Sequence, residues 1–217
     1  MQLLTRNSKI KKSEKRTFNF GIPAYQSTTG LKTCPNAGAC AKGCYALAGA
    51  YRFSNVAQTF ERRLAVTQSN EFIDLMLKEI DANRAERIRI HDSGDFYSEE
   101  YLQRWLKIMR ARPHVEFYAY TKMITMFKFH APYLPKNFTV IYSFGGTQDR
   151  LIDVKRDRHS LVFETHEDLI RAGYADASNQ DDIALEDNPR IGLVYHGTKN
   201  IENTDWSKVP ELKRKAA

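Results

Sequence analysis

Short runs rich in aromatic and β-branched residues alternate with amphipathic helical stretches along almost the whole chain. That alternation limits the fold more than any other feature. RTFNFGI (16–22), RIRI (87–90), VEFYAYT (115–121), FTVIYSF (138–144), SLVFET (160–165) and IGLVYHG (191–197) read as strands. Between them, apolar residues recur at helical spacing: Val56, Phe60 and Leu64 in 55–67, Phe72, Leu75, Met76 and Ile80 in 71–83, and Leu102, Trp105, Leu106 and Met109 in 99–110. Shorter helices are expected over 122–130 and 166–172. Ser54 and Ser98 stand where N-caps belong. Residues 174–189, rich in Asp, Asn and Ser, read as an irregular loop. Strands alternating with helices predict an α/β fold on parallel strands. Six strands are too few for a closed eight-stranded barrel, so the expected architecture is a partial, open (β/α)6 barrel. A flat doubly wound sheet is permitted by the same pattern. Residues 16–200 are expected to form a single domain, between a basic flexible arm (1–15) and a basic C-terminal tail (201–217).

The loop that follows the first strand holds all three cysteines. In TCPNAGACAKGCYALAGAYR (33–52), five residues separate Cys34 from Cys40 and three separate Cys40 from Cys44. Small residues fill the gaps, so the backbone can wrap closely around a compact guest. Buried small hydrophobes and a disulfide are the plainer readings. A structural zinc site needs four ligands, and His91 or His196 would have to supply the fourth. Three thiolates suit a [4Fe–4S] cluster better: each binds one iron, and the fourth iron stays open to a substrate or cofactor.

Other chemistry-bearing residues sit at strand ends. They are His91-Asp92-Ser93-Gly94-Asp95, Tyr120-Thr121-Lys122, Ser143 with Gly145-Gly146-Thr147, and Tyr195-His196. In a barrel these ends meet at one mouth beside the cysteine loop. His91, Asp95 and Lys122 are the candidate catalytic groups. Tyr45, Ser93, Gly94, Asp95, Ser143 and His196 are the candidate cofactor contacts. Tyr45 would pack over the cluster or stack on a base, and Arg52 would pair with cluster or cofactor charge. Gly145-Gly146-Thr147 offers backbone N–H groups to an anion. Each also has a structural reading: a hydrogen-bonded core histidine, an Asx-type turn, an exposed lysine at a helix start, a core tyrosine, a plain turn. The chain contains no G-x-S-x-G elbow, H-E-x-x-H or Walker loop.

The cysteine loop, together with HDSGDFYSEEYLQRW and FYAYTK, resembles the phage "gene product eighty-eight" domain family over roughly residues 16–200. The layout of that family is similar to the radical S-adenosylmethionine enzymes. The resemblance implies a partial barrel with the cluster loop after its first strand, and S-adenosylmethionine on the open iron. It also implies Ser93-Gly94-Asp95 in the place where those enzymes hold the amino group of the cofactor. The spacing Cys-x5-Cys-x3-Cys departs from their usual Cys-x3-Cys-x2-Cys. Non-radical chemistry, with the open iron as a Lewis acid or a sulfur acceptor, therefore stands beside the radical reading.

Composition excludes some classes. At 42% apolar and 12% aromatic residues the chain is globular. No apolar run approaches the ~20 residues that span a bilayer, and the opening MQLLTRNSKIKKSEKR lacks the apolar core of a signal peptide. A cytoplasmic setting is expected, the host cytoplasm if the chain is phage-encoded. There thiols stay reduced and an electron donor is available. The net charge of +7 is partly in KIKKSEKR and KRKAA. It fits nucleic acid or a nucleotide substrate as partner, or merely solvated tails. A zinc- or cluster-stapled nucleic-acid-binding module is thus the alternative to a small-molecule enzyme.

Overall fold

The computed structural model describes residues 2–195. Seven strands form one sheet in the order β1-β2-β3-β4-β5-β7-β6, and every pair is parallel. They are β1 (Thr17–Phe20), β2 (Arg87–Ile90), β3 (Glu116–Thr121), β4 (Phe138–Ser143), β5 (His159–Phe163), β6 (Ala175–Asp176) and β7 (Arg190–Val194). The helices are α1 (Ser54–Gln68), α2 (Phe72–Ala82), α3 (Glu99–Ala111), α4 (Ile124–His130) and α5 (His166–Arg171). From β1 to β5 the strands follow chain order without reversal. A doubly wound sheet needs a reversal to bring helices onto both faces. Here it curls instead into a half-barrel.

Strand alternation separates two faces. Phe18 and Phe20, Ile88 and Ile90, Phe117 and Ala119, Phe138 and Tyr142, and Leu161 and Phe163 pack on the helices in one large core. Trp105 lies fully buried there, with Phe20 and Phe72 each 5.4 Å away, edge to face. Gly192 completes the packing on β7, because a Cβ there would stand 2.3 Å from Leu169 Cγ. The opposite, concave face carries Asn19, Arg87, Arg89, Tyr118, Tyr120, Ile141, Ser143, Ile191 and Leu193.

Three expectations are corrected. The seventh strand, β6, and a 3-10 turn over Asp181–Leu185 occupy the stretch expected as irregular loop. Their Ala177 and Ala184 pack on Tyr118, Ile141 and Ile191, so this segment lines the concave side. Its polar composition hides that role, because a few scattered apolar contacts and the ion pairs of Asp181 and Asp182 hold it without a regular apolar period. The leading residues, expected as a loose arm, are docked: Leu3 and Leu4 are buried, and their amides donate to the Glu79 carboxylate at 2.6 and 2.8 Å. Ser54 begins α1 but makes no capping bond. Ser98 does cap α3, accepting from the Tyr101 amide at 3.1 Å. The tail at 201–217 and His196 lie outside the described residues.

Candidate functional site

A cavity of about 560 Å³ opens on the concave side at the carboxyl ends of the strands. Cys34, Cys40 and Cys44 line it, and all three are free and half-buried. The loop that carries them does not stay above β1; it reaches the end of β4. The amides of Gly38 and Cys40 both donate to the Gly145 carbonyl, at 3.1 and 3.0 Å, and Ala37 bridges Gly146. The Thr147 amide donates to the Asn36 carbonyl at 3.0 Å. The backbones approach so closely that glycine is needed on both sides. A Cβ on Gly38 would stand 2.9 Å from Gly146 C, and one on Gly146 would stand 2.9 Å from Asn36 O.

The thiols differ in surroundings. Burial pushes Cys34 up to about 12, and the nearby Asp95 adds to this, while the Tyr25 amide, donating to Sγ at 3.3 Å, opposes it. Burial also raises Cys44, against the Ala46 amide and the Lys122 ammonium. A cation is therefore needed to hold Cys34 as a thiolate at neutral pH. Among the described residues, no three Cys, His, Asp or Glu side chains converge tightly enough to hold one metal ion. The thiols share a cavity without sharing a single coordination sphere. A mononuclear site needs such a sphere, whereas a cluster takes each thiolate on a different iron. Three unbridged thiols on a small-residue loop are a donor set that cluster chemistry can use.

The other expected site residues fall into two groups. Lys122, Ser143, Tyr45, Ser93, Gly94 and Asp95 line the cavity with the cysteines. Lys122 Nζ donates to Ser143 Oγ at 2.8 Å. The Tyr45 hydroxyl donates to the Asp92 carbonyl, burial raises it to about 12, and its ring meets Tyr51 edge to face at 5.7 Å. Asp95 is engaged by its own chain. Its carboxylate accepts from the Phe96 amide (2.8 Å), the Thr121 hydroxyl (2.7 Å) and the Lys122 amide (2.9 Å). It braces the loop after β2 against the end of β3, and burial raises its pKa against those bonds. Gly94 has φ +86, and a Cβ there would lie 2.3 Å from Ile22 Cγ1, so close packing accounts for this glycine.

His91 also borders the cavity, but its ring is packed into the core. It is buried, its Nε2 pairs with the Tyr101 hydroxyl at 2.9 Å, and the Phe96 ring meets it edge to face at 4.7 Å. Burial lowers its pKa to about 3, so it is neutral at physiological pH. The amides of Gly145 and Gly146 both donate to Asp149, each at 2.8 Å, so the chain already supplies the anion expected there. Arg52 lines a smaller neighbouring cavity of about 340 Å³ and not the one with the thiols.

Three residues were not legible as site residues. Arg89 of β2 lines the cavity floor and pairs with Asp181 at 2.8 Å, while Lys9 pairs with the same carboxylate at 2.6 Å. Burial opposes ionisation of Asp181, but Arg89, Lys9 and the Tyr118 hydroxyl hold it at about 2. The signal was present in RIRI. A parallel strand covered on both faces is apolar throughout, so two arginines on alternate positions imply a polar lumen.

Residues 2–209 match the Gene product 88 family. Two curated relatives, each called "Gene 88 protein", come from Mycobacterium phages L5 and D29. They are 32% and 30% identical over alignments of 123 positions that cover 49% of this chain and 48% of each relative. The chain thus spans about half the length of the curated relatives it matches. No solved structure matches. Among the described residues no helix is long and apolar enough to cross a membrane.

Proposed function

The chain belongs to the Gene product 88 family, and on that premise we propose that it is an iron–sulfur protein with enzymatic chemistry on a small molecule. Cys34, Cys40 and Cys44 would hold a [4Fe–4S] cluster beside the cavity. One observation carries the reading: all three thiols, unbridged, line one cavity of small-molecule size. A three-thiolate cluster leaves one iron without a protein ligand, and that iron supplies Lewis-acid or redox chemistry.

The chain's own residues position this site. The Gly145 carbonyl anchors the middle of the loop through the Gly38 and Cys40 amides. Tyr45 pins its exit through the Asp92 carbonyl. Lys122 places positive charge near Cys44, which favours the thiolate. S-adenosylmethionine is one candidate for the open iron, and a directly bound substrate is the other.

Anaerobic purification tests the proposal. A brown protein with about four irons per chain is expected, and Cys34→Ala, Cys40→Ala and Cys44→Ala should each lose most of that iron. A colourless protein with about one zinc per chain, or iron retained in all three variants, overturns it. An S-adenosylmethionine cleavage assay on the brown protein then separates radical from non-radical chemistry.

A further inference from the structure

The cavity floor carries hydrogen-bond donors that no group among the described residues uses. Arg89 Nε–H and the Tyr120 hydroxyl are buried without a partner among the described residues, and both residues line the cavity. They adjoin: the Arg89 guanidinium carbon lies 5.1 Å from the centre of the Tyr120 ring. The Ser93 hydroxyl is a third buried, unpartnered group on the same lining. A buried donor left unmatched costs about 1–3 kcal/mol, so such groups in one cavity ask for an occupant.

The carboxylates nearby are engaged through most of their oxygens. Asp181 serves Arg89 Nη1, Lys9 and Tyr118. Asp95 serves two amides and Thr121. Asp92 accepts from Asn19 Nδ2 at 2.7 Å through Oδ2, while its Oδ1, without a partner among the described residues, is packed against Gly21, where a Cβ would come within 2.1 Å of it. Arg89 Nε–H can only donate, and the Tyr120 and Ser93 hydroxyls beside it are free to donate as well, so this group of atoms suits an occupant that accepts. A guanidinium N–H beside a hydroxyl selects an oxyanion over a neutral oxygen, because charge-assisted bonds are about twice as strong. Val162, Leu193 and Tyr195 on the same lining offer an apolar surface to the rest of the molecule.

We infer that Arg89 and Tyr120, with Ser93, form an anion-binding subsite that takes the carboxylate or phosphate group of a small molecule whose apolar body lies on Val162, Leu193 and Tyr195. The inference rests on the cavity and not on the metal assigned to the thiols.

The test uses the full chain, purified anaerobically, with benzoate, phenyl phosphate and the neutral benzamide as probes in calorimetric titrations. At least one anion should bind, with benzamide about tenfold weaker or worse. The tighter anion identifies the acid group. Tyr120→Phe keeps the ring under Arg89 and breaks no existing hydrogen bond; it should weaken the anion about tenfold with metal content unchanged. Arg89→Lys keeps a cation for Asp181 but has no Nε–H, and should weaken it at least as much. Lys107→Gln, exposed on α3, should bind like the wild type. Absence of anion binding, equal binding of benzamide, or wild-type affinity in both Tyr120→Phe and Arg89→Lys overturns the inference. Because the Tyr120 variant leaves the thiols intact, loss of anion binding with metal retained is distinct from failure of the iron–sulfur reading.

Discussion

The two faces of the half-barrel obey different physics. The convex face is apolar and interlocked: Phe20, Phe72, Tyr101 and Trp105 fill the space under the helices without a void-tolerant residue among them. The concave face is a polar lumen, where Arg87, Arg89, Lys9, Asp181 and Asp182 are held by paired charges. Burying apolar surface is favourable in itself, by about 25 cal/mol per Å². Burying ions is not, and a buried pair roughly offsets its own desolvation. The convex face therefore supplies stability, and the concave face consumes part of it to keep charged and donor groups in place. Binding sites are built at such an expense.

The contrast is most directly broken by truncation on the convex side. Trp105→Ala should destabilise the chain by about 3–5 kcal/mol, read by urea denaturation. A loss under 1 kcal/mol would mean the convex core does not carry the fold. Next comes Asp181→Ala, which leaves Arg89 and Lys9 buried without their shared counter-ion and should cost about 3 kcal/mol. If the melting temperature is unchanged, the lumen is open to water and its ion pairs are decorative.

Acid titration separates the faces by pH. His91 sits on the convex side, with its pKa lowered by burial from 6.5 to about 3. Below pH 6.5 the unfolded chain takes up a proton that the folded chain refuses. Its contribution is thus complete above pH 6.5 and is lost progressively as pH falls toward 3. Asp181 is depressed from 3.8 to about 2, so its contribution is present above pH 3.8 and is lost as pH falls through 2. Melting temperatures should be flat between pH 7 and 8 on this account and fall below about pH 6. His91→Gln should flatten the upper limb and leave the lower one; an unchanged profile would show that the ring is not the group that titrates. The smallest effect is expected from Ser98→Ala, which removes the α3 cap and should cost about 1 kcal/mol, measurable as a shift in the denaturation midpoint. No shift would mean that a neighbouring group replaces the cap.

Much of this was readable in the chain. The outward strand positions, Ile88 with Ile90 and Phe117 with Ala119, follow from alternation alone. So do the stripes of α1 and α3, the Ser98 cap and the parallel order; the α2 stripe holds at Phe72, Met76 and Ile80, while Leu75, expected in the core, is exposed. The grouping of strand-end polar residues at one mouth follows once the sheet is known to curl. What was not readable depended on partners far away in sequence. Asp95 looks like a free carboxylate until Thr121 and the Lys122 amide are placed on it. His91 looks like a ligand until Tyr101 and Phe96 enclose it. Residues 174–189 look like loop because their apolar contacts are scattered and their ion pairs are distant in sequence; Asp181 meets Arg89 across 92 positions.

The chain by itself determined which residues point to which side of each strand, because side-chain direction repeats every two residues and needs no partner. It also determined that three thiols travel together on one loop. Only the tertiary structure decided what those directions mean: that β1's loop crosses to Gly145, that Arg89 faces Asp181, and that the Tyr120 hydroxyl has no partner among the described residues. Register and curvature bring these groups together, and both are set by the packing of the whole sheet, which no local stretch of sequence contains.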